Sequence, residues 1–353
     1  MAMTNPLISV IIPVYNKSEF IKETVDSVVK QSYRNLEIIV VDDGSTDNSL
    51  DIVNSLNDSR LRVFSQPNSG VERARNYGFS KSVGSFVTFQ DADDLMSQDR
   101  LKKQIDFFVS NEALVLVGTW ANVIDVSGNV IGSIRPPTSN DALRLAHIFR
   151  NQFVCSSVMI RKTAVNKHLV FNKTQNPYFS EDYDLWLRLT GEGTVANIPE
   201  KLTSYRRLKS SRSQDDRGSL TKSARQISSE WLVKNSKHFT SFDAANSFVS
   251  SINGLDDLTL NDRRSLINSR ATYKKLLGEL GINEKKTRIN ELNSVILRHK
   301  LHILMWSLLA KLPIRFQKDL FFLLSGIKSA RSIRYIWERS HLWLSVLKSN
   351  IKS

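Results

Sequence analysis

The spacing of apolar residues changes its period several times along this chain of 353 residues. Between residues 18 and 81, apolar positions recur at helical spacing in segments that predict helices. Short apolar runs separate these segments and predict strands covered on both faces, at residues 8–13, 37–41, 61–64 and 85–89. Alternating strands and helices predict an α/β fold with a mostly parallel sheet and helices on both faces.

The pattern loosens after about residue 110. Residues 115–120 and 130–133 predict a hairpin with its turn at 127–129, residues 154–160 predict a further strand, and a helix is expected to start at Asp182. From about residue 215 only helices are predicted, at residues 219–234, 260–280, 284–299, 301–311, 316–325 and 333–348. We therefore predict an α/β domain over residues 1–214 and an all-α region over residues 215–353.

Polar side chains follow three of the predicted strands. The first strand ends in Pro13-Val14-Tyr15-Asn16, the second in Asp42-Asp43-Gly44-Ser45, and the fourth in Gln90-Asp91-Ala92-Asp93-Asp94. An open α/β sheet binds its ligands in the crevice outside the carboxyl ends of its strands. The sequence therefore predicts a binding site at this edge. Capping of a following helix is the alternative for Asp43 and Asp94, while Ser18 and Ser45 or Thr46 are expected to cap the first two helices.

The Asp cluster after the fourth strand indicates a divalent cation. Its three carboxylates repel one another unless a positive charge neutralises them. Asp91 and Asp93 lie two positions apart, so in extended backbone they project to the same side. Their oxygens are hard ligands that suit Mg²⁺ or Mn²⁺. A solvated loop without a cation is the alternative for so short a motif.

These segments and two others resemble the motifs of the family 2 glycosyltransferases, which are inverting enzymes of the GT-A fold. The two others are NSGVERARNYG at residues 68–78 and EDYDLWLRL at residues 181–189. The resemblance covers about residues 5–210, with the motifs in the family's order. It implies a nucleotide-sugar donor, Mn²⁺ or Mg²⁺ as the cofactor, and a donor site formed by Pro13, Tyr15, Asn16, Asp42, Asp43, Arg75, Asp91, Ala92 and Asp93.

The resemblance also implies roles for single residues. A carboxylate of Asp42 or Asp43 contacts the nucleotide base, and because a carboxylate can accept the imide N–H of uracil, a UDP-sugar is favoured. Asp93 ligates the metal ion directly, and Asp91 reaches the ribose or the metal. Asp182 is the general base that takes the proton of the attacking acceptor hydroxyl.

Some neighbours of these motifs allow two interpretations. Trp186 either packs in the core or stacks on a sugar. Tyr205-Arg206-Arg207 resembles a segment that helps to close over the diphosphate. Cys155 is the only cysteine, so an intramolecular disulfide is excluded, and its apolar neighbours predict a buried thiol on a strand.

Basic charge is concentrated in the carboxyl-terminal part of the chain. The net charge is +14 overall, and the residues after 200 alone carry +17, from 29 basic and 12 acidic side chains. This excess argues for an anionic partner. Two apolar stripes with basic flanks, at residues 296–312 and 333–351, predict either peripheral attachment to an anionic membrane or packing in a homo-oligomer. The expected location is cytoplasmic, at the inner face of the cell membrane, without a signal peptide or a membrane span.

We therefore expect an inverting, metal-dependent glycosyltransferase that moves a sugar to a hydroxyl of a growing glycan, such as a lipid-linked O-antigen, capsule or exopolysaccharide. Two other classes stay open. The basic charge suggests a nucleic-acid-binding protein, but the acidic pairs would repel phosphate, and no specific nucleic acid is expected. A sugar nucleotidyltransferase would share the sheet and the metal, but that class opens with a Gly-rich loop, whereas this first strand ends in Pro13-Val14-Tyr15-Asn16. The sequence does not identify the sugar, the linkage or the acceptor.

Overall fold

One mixed sheet organises the amino-terminal part of the protein. The computed structural model describes residues 5–165, 171, 180–208, 217–253, 262–282, 291, 295–296 and 299–300. The strands are β1 Ile8–Val14, β2 Leu36–Asp42, β3 Leu61–Ser65, β4 Phe86–Phe89, β5 Leu95–Met96, β6 Leu114–Ile124, β7 Val130–Ile134, β8 Met159–Arg161 and β9 Thr194–Arg206.

Helices cover the sheet and continue beyond it. They are α1 Ile21–Val29, α2 Ser49–Asn54, α3 Val71–Lys81, α4 Arg100–Ser110, α5 Asn140–His147, α6 Glu181–Leu189, α7 Arg217–Asn235, α8 Phe242–Asn253 and α9 Asp262–Glu279. In the described residues, no helix is long and apolar enough to span a membrane.

The strand order is β3-β2-β1-β4-β8-β6-β9-β5, with β7 paired to β6. The first four strands run parallel, as the sequence predicts, and Val14 at the end of β1 pairs with Asp42 at the end of β2. The strands that follow mix directions, because β8 lies antiparallel to both β4 and β6 while β9 lies parallel to β6. The parallel half therefore gathers four carboxyl ends at one edge, and polar clusters follow three of them, β1, β2 and β4.

Both faces of the sheet are buried, which explains the unbroken apolar runs. Alternate residues of β1 enter two different apolar clusters: Val10 and Ile12 lie in one, whereas Ile11 packs with Ile39 and Val41 in the other. This confirms the predicted arrangement of helices on both faces.

The carboxyl-terminal helices share a core with the α/β part. Leu145 of α5 and Tyr183 and Leu187 of α6 pack in one apolar cluster with residues of α7, α8 and α9, among them Ile227 and Leu276. Helices α7 and α9 confirm two predicted segments, whereas α8 was missed although its apolar residues have helical spacing. The predicted boundary near residue 215 lies in a stretch outside the described residues and stays a prediction.

Two local predictions were wrong, and a third is confirmed only in part. Phe20, rather than Ser18, is the N-cap of α1, because the Ser18 N–H is bound by the Asp47 carboxylate at 3.0 Å. Helix α2 begins at Ser49 rather than at Ser45 or Thr46, since residues 45 and 46 bond to the end of β1. The strand predicted at 154–160 is confirmed only at its end, as β8, because Cys155–Ser157 forms a 3₁₀ turn before it.

We predict that Gly78→Ala destabilises the protein. A methyl group at Gly78 in α3 would lie 2.5 Å from Cγ2 of Ile11 and 3.3 Å from Cγ2 of Val41. Overpacking of this kind costs about 1–3 kcal/mol, only partly offset by the better helix propensity of alanine. The matched control is Gly278→Ala in α9, where nothing lies within 4 Å of the added methyl and a gain of up to about 1 kcal/mol is expected. Urea unfolding measures both; equal stabilities for the two variants would contradict the close packing of α3 on β1 and β2.

Candidate active site

The loop after β1 lies against the loop after β2. Asn16 has a left-handed backbone with φ +49°, and its Oδ1 accepts a hydrogen bond from the Thr46 N–H at 2.8 Å. Its own N–H donates to Oγ of Ser45 at 3.1 Å. Tyr15 beside it is 46% exposed, whereas Pro13 is buried within β1. Of the predicted β1 residues, Tyr15 and Asn16 therefore face the crevice, and Pro13 is part of the scaffold.

The two aspartates after β2 differ in their hydrogen-bond partners. Oδ1 of Asp43 accepts bonds from Nε2 of Gln66 at 2.7 Å and from the Ser69 N–H at 3.0 Å, and Oδ2 accepts one from the Gly70 N–H at 2.9 Å. Asp43 thereby fixes the loop that leads into α3, rather than capping α2. Asp42 accepts a single donor at each oxygen, from the Ser45 N–H and from Oγ of Ser65.

A buried arginine joins two distant motifs. Arg75, in the second turn of α3, is 5% exposed. Its Nη2 lies 2.7 Å from Oδ1 of Asp91, and its Nη1 lies 2.8 Å from Oε1 of Glu181. Burial alone would lower the pKa of Arg75, but the surrounding anionic groups raise it well above its usual value. The guanidinium also lies over the ring of Phe171, and Asn76 holds the Phe171 backbone through bonds of 2.8 and 2.9 Å.

The three carboxylates after β4 have three different partners. Asp91 pairs with Arg75, and Asp93 pairs with Nζ of Lys17 at 2.7 Å. Asp94 is buried, and its Oδ1 accepts a bond from the Arg206 N–H at 2.7 Å. Burial raises the pKa of Asp94 well above its usual value, and the nearby Asp91 and Asp93 raise it further. The repulsion expected within the cluster is thus relieved by two basic side chains and by the raised pKa of Asp94, which favours its neutral form.

The predicted role of Arg206 was wrong. Its side chain is 2% exposed, and its Nε donates to the Asp93 carbonyl at 2.8 Å. Its two Nη atoms bind the Asp125 and Val126 carbonyls and the Glu23 carboxylate. Arg206 is therefore committed to holding the Asp loop against neighbouring loops and cannot reach a diphosphate.

A third buried arginine, Arg100, was missed by the sequence analysis and, like Arg206, supports the loop after β4. Arg100 donates to Oε1 of Gln90 at 3.0 Å, to Oγ1 of Thr88 at 2.5 Å, and to the Ser156 carbonyl. Burial lowers its pKa to about 9, against the attraction of Asp94. The overlooked signal was a charged residue on the apolar face of the amphipathic helix α4.

Asp182 stands in the first turn of α6, directly after Glu181. Its Oδ1 accepts the Tyr183 N–H at 2.8 Å, and its Oδ2 accepts Nδ2 of Asn151 at 3.1 Å. Burial and the charge of the neighbouring Glu181 together raise the pKa of Asp182 to about 6, against the opposing effect of Arg75. A carboxyl group with this pKa is ionised at neutral pH and still basic enough to accept a proton.

The carboxyl-terminal helix α7 fixes the start of α6. Oγ of Ser223 accepts the Ser180 N–H at 3.1 Å. The hydroxyl of Tyr183 lies 2.9 Å from Oγ of Ser228 and donates towards the His147 and Ile148 carbonyls. The position of Asp182 therefore depends on contacts from both parts of the chain.

Trp186 and Cys155 belong to the core. Trp186 is fully buried beside Phe89 and Phe171, so its alternative role in stacking on a sugar was wrong. Cys155 is buried as predicted, and burial raises the pKa of its thiol.

Comparisons with known proteins show the family of this chain. A sequence model described as Glycosyl transferase family 2 matches residues 9–169. An uncharacterized glycosyltransferase of Haemophilus influenzae is 37% identical over 188 residues, which are 52% of this chain and 72% of that protein. The chain belongs to glycosyltransferase family 2. It is therefore a transferase, and the nucleotidyltransferase and nucleic-acid-binding hypotheses are not retained.

One further relative and one solved structure are similar to this glycosyltransferase. The Escherichia coli protein WfaP, named as a UDP-Glc:alpha-D-GlcNAc-diphosphoundecaprenol beta-1,3-glucosyltransferase, is 32% identical over 206 residues, 57% of this chain and 77% of WfaP. The structure of S. aureus TarS 1-349 in complex with UDP-GlcNAc has a TM-score of 0.55 and 17% identity, and covers 85% of this chain and 90% of that one. The TarS likeness supports the GT-A fold.

The carboxylates of this glycosyltransferase fit a divalent cation that is held partly by its substrate. Within the described residues, no group of three His, Cys, Asp or Glu side chains is placed to hold a metal ion. Asp91 and Asp93 are 30% and 15% exposed and offer hard oxygen atoms at the sheet edge. Magnesium is usually held by one or two carboxylates, with phosphate oxygens and water completing its shell. Asp93 would be the better ligand, since Asp91 is held by the buried Arg75 whereas the partner of Asp93 is the more exposed Lys17.

We predict that Asp182→Asn changes how stability depends on pH. The pKa of Asp182 is about 6 when folded, against an ordinary value of 3.8. Between about pH 4 and 6 the folded protein keeps a proton that the unfolded chain has released, so the wild type loses stability as pH rises through this window. Asparagine does not titrate. The variant should therefore gain about 1–3 kcal/mol relative to the wild type between pH 4 and pH 8. A constant difference in urea unfolding at the two pH values would contradict the raised pKa.

Proposed function

We propose that this glycosyltransferase transfers a sugar, with inversion, from a UDP-sugar to a hydroxyl group of a growing glycan, using Mg²⁺ or Mn²⁺. The observation that carries the proposal is the Arg75 bridge between Asp91 and Glu181. This bridge brings the expected donor-binding residues after β4 next to helix α6, whose first turn carries the expected general base, Asp182. A donor and an acceptor can then be held on two sides of the buried guanidinium of Arg75.

Inversion requires a single displacement in which the acceptor hydroxyl attacks from the face opposite the leaving diphosphate. Asp182 would accept the proton of that hydroxyl as the new bond forms, a step that typically contributes about 10²–10⁴-fold to the rate. The bonds from Asn151 and from the Tyr183 N–H would orient its carboxylate. Bound at Asp93, the cation would neutralise charge that develops on the leaving UDP.

The uracil would be recognised at the ends of β1 and β2. Asp42 accepts fewer protein donors than Asp43, so Asp42 has more capacity left for the imide N–H of the base. The exposed ring of Tyr15 stands in the neighbouring loop and would pack on the base.

The proposed acceptor is a lipid-linked glycan of a bacterial surface polysaccharide. The support is the name of WfaP, a relative whose acceptor is a diphosphoundecaprenol-linked sugar. Peripheral attachment at the inner face of the membrane would suit such an acceptor. Two basic amphipathic stripes, at residues 296–312 and 333–351, would make this attachment to the membrane. They lie almost wholly outside the described residues, so their contact with a membrane or with a second copy of the chain stays a prediction from the sequence.

The test is a hydrolysis screen of nucleotide sugars with Mn²⁺, followed by transfer assays and calorimetry with the donor found. We expect one UDP-sugar to be hydrolysed, with activity lost in excess chelator and in Asp93→Ala. Asp182→Asn should reduce transfer about 10²–10⁴-fold while donor affinity stays nearly unchanged. Asp184→Asn is the matched control, because Asp184 lies in the same turn of α6 but pairs with Arg188.

Three results would contradict parts of this proposal. Full activity in chelator would exclude the cation. Near-normal transfer by Asp182→Asn would remove Asp182 from the mechanism. Hydrolysis confined to donors other than UDP-sugars would refute the assignment of uracil as the nucleotide base.

A further inference from the structure

Lys17 is a charged residue of the site to which neither the motifs nor the proposed mechanism assigns a role. It follows Asn16 in the loop after β1, and its Nζ lies 2.7 Å from Oδ2 of Asp93. The two side chains are 27% and 15% exposed, so the pair is shielded from much of the solvent. The partner of Lys17 is thus the carboxylate proposed to ligate the cation.

The loop that carries Lys17 is held firmly by hydrogen bonds. The Lys17 N–H donates to Oγ of Ser49 at 2.8 Å, and the Ser18 N–H donates to Oδ2 of Asp47 at 3.0 Å. On the other side, Asn16 is bonded to the loop after β2. The backbone position of Lys17 is therefore fixed, and its ammonium group can move only by rotation within its own flexible stem.

A lysine ammonium and a divalent cation cannot share one carboxylate oxygen without strong repulsion. At a few ångströms, two like charges in a partly buried site are only weakly screened by solvent. Binding of a metal ion to Asp93 therefore requires the ammonium of Lys17 to leave that oxygen. When a diphosphate is present, the displaced ammonium finds new anionic oxygens nearby; without it, the ammonium must return to solvent.

We propose that Lys17 is the resident counter-cation of Asp93, that a divalent ion must displace it, and that this exchange couples metal binding to binding of the nucleoside diphosphate. The inference rests on the proposed role of Asp93 as a metal ligand. It makes the empty site a poor metal binder, because the internal ammonium competes, and it makes the site loaded with UDP a good one.

The experiment is a Mn²⁺ titration followed by the electron paramagnetic resonance signal of free Mn²⁺, with and without UDP. Without UDP, Lys17→Met should bind Mn²⁺ about three- to tenfold more tightly than the wild type, since a partly buried ion pair no longer competes. Addition of UDP should then improve Mn²⁺ affinity by a smaller factor in Lys17→Met than in the wild type. Lys17→Arg keeps the charge and should stay close to the wild type.

Two controls separate this exchange from general charge effects. Lys22→Met removes the same charge from an exposed ion pair with Asp26 on α1 and should leave Mn²⁺ affinity unchanged. In the wild type, the ¹⁵N resonance of the Lys17 ammonium, assigned by its loss in Lys17→Met, should shift when Mg²⁺ and UDP are added.

The outcomes distinguish this inference from the proposed function. If Asp93→Asn binds Mn²⁺ as well as the wild type does, Asp93 is not a ligand, and both its metal role in the proposed function and the exchange with Lys17 fail. If Asp93→Asn loses Mn²⁺ but Lys17→Met binds it no more tightly than the wild type, only the role of Lys17 is overturned. A Lys17 resonance that stays unshifted at saturating Mg²⁺ and UDP would also overturn it.

Discussion

The site depends on one buried positive charge. The guanidinium of Arg75 is almost completely removed from solvent, and it remains there because Asp91 and Glu181 each contact one of its nitrogens. The two acids lie 16 and 106 positions away along the chain. A buried charge that loses its partner typically costs about 3–5 kcal/mol, so the arrangement holds the end of β4 and the start of α6 in a fixed relation.

The rest of the scaffold supplies the conditions for that bridge. Helix α3 presents Arg75 from a position set by close packing of Gly78 on β1 and β2. Arg100 binds Oε1 of Gln90 and Arg206 binds the Asp93 carbonyl, so both hold the loop after β4, while Asp91 and Asp93 keep some exposure at the sheet edge. Helix α7 binds the first turn of α6 through Ser223 and Ser228. The carboxyl-terminal helices thus contribute to the geometry around the proposed base, whatever further contacts the rest of the chain makes.

Features carried by local sequence patterns could be predicted. The buried strands follow from continuous apolar runs, and the polar clusters at strand ends follow from the rule that parallel strands end at one edge. The resemblance in motifs assigned Arg75 and Asp182 to one active site, but it did not predict the Arg75–Glu181 ion pair that joins their segments. What could not be predicted were the partners that charged side chains find in distant segments: Lys17 with Asp93, and Arg206 with the loop carbonyls. An arginine in a sequence gives no indication of whether it meets a substrate or a carbonyl group, because that choice is made by contacts between distant segments.

The central claim is that the Arg75 guanidinium and the Glu181 carboxylate stabilise each other inside the protein. A double-mutant cycle of Arg75→Met and Glu181→Gln, measured by urea unfolding at neutral pH, tests it most directly. Each single change should cost several kcal/mol because it leaves a buried charge unpaired. The double variant should then be about 1–3 kcal/mol more stable than the sum of the two losses implies. Losses that add within about 0.5 kcal/mol would mean that the two side chains do not depend on each other, and would contradict the account of the site.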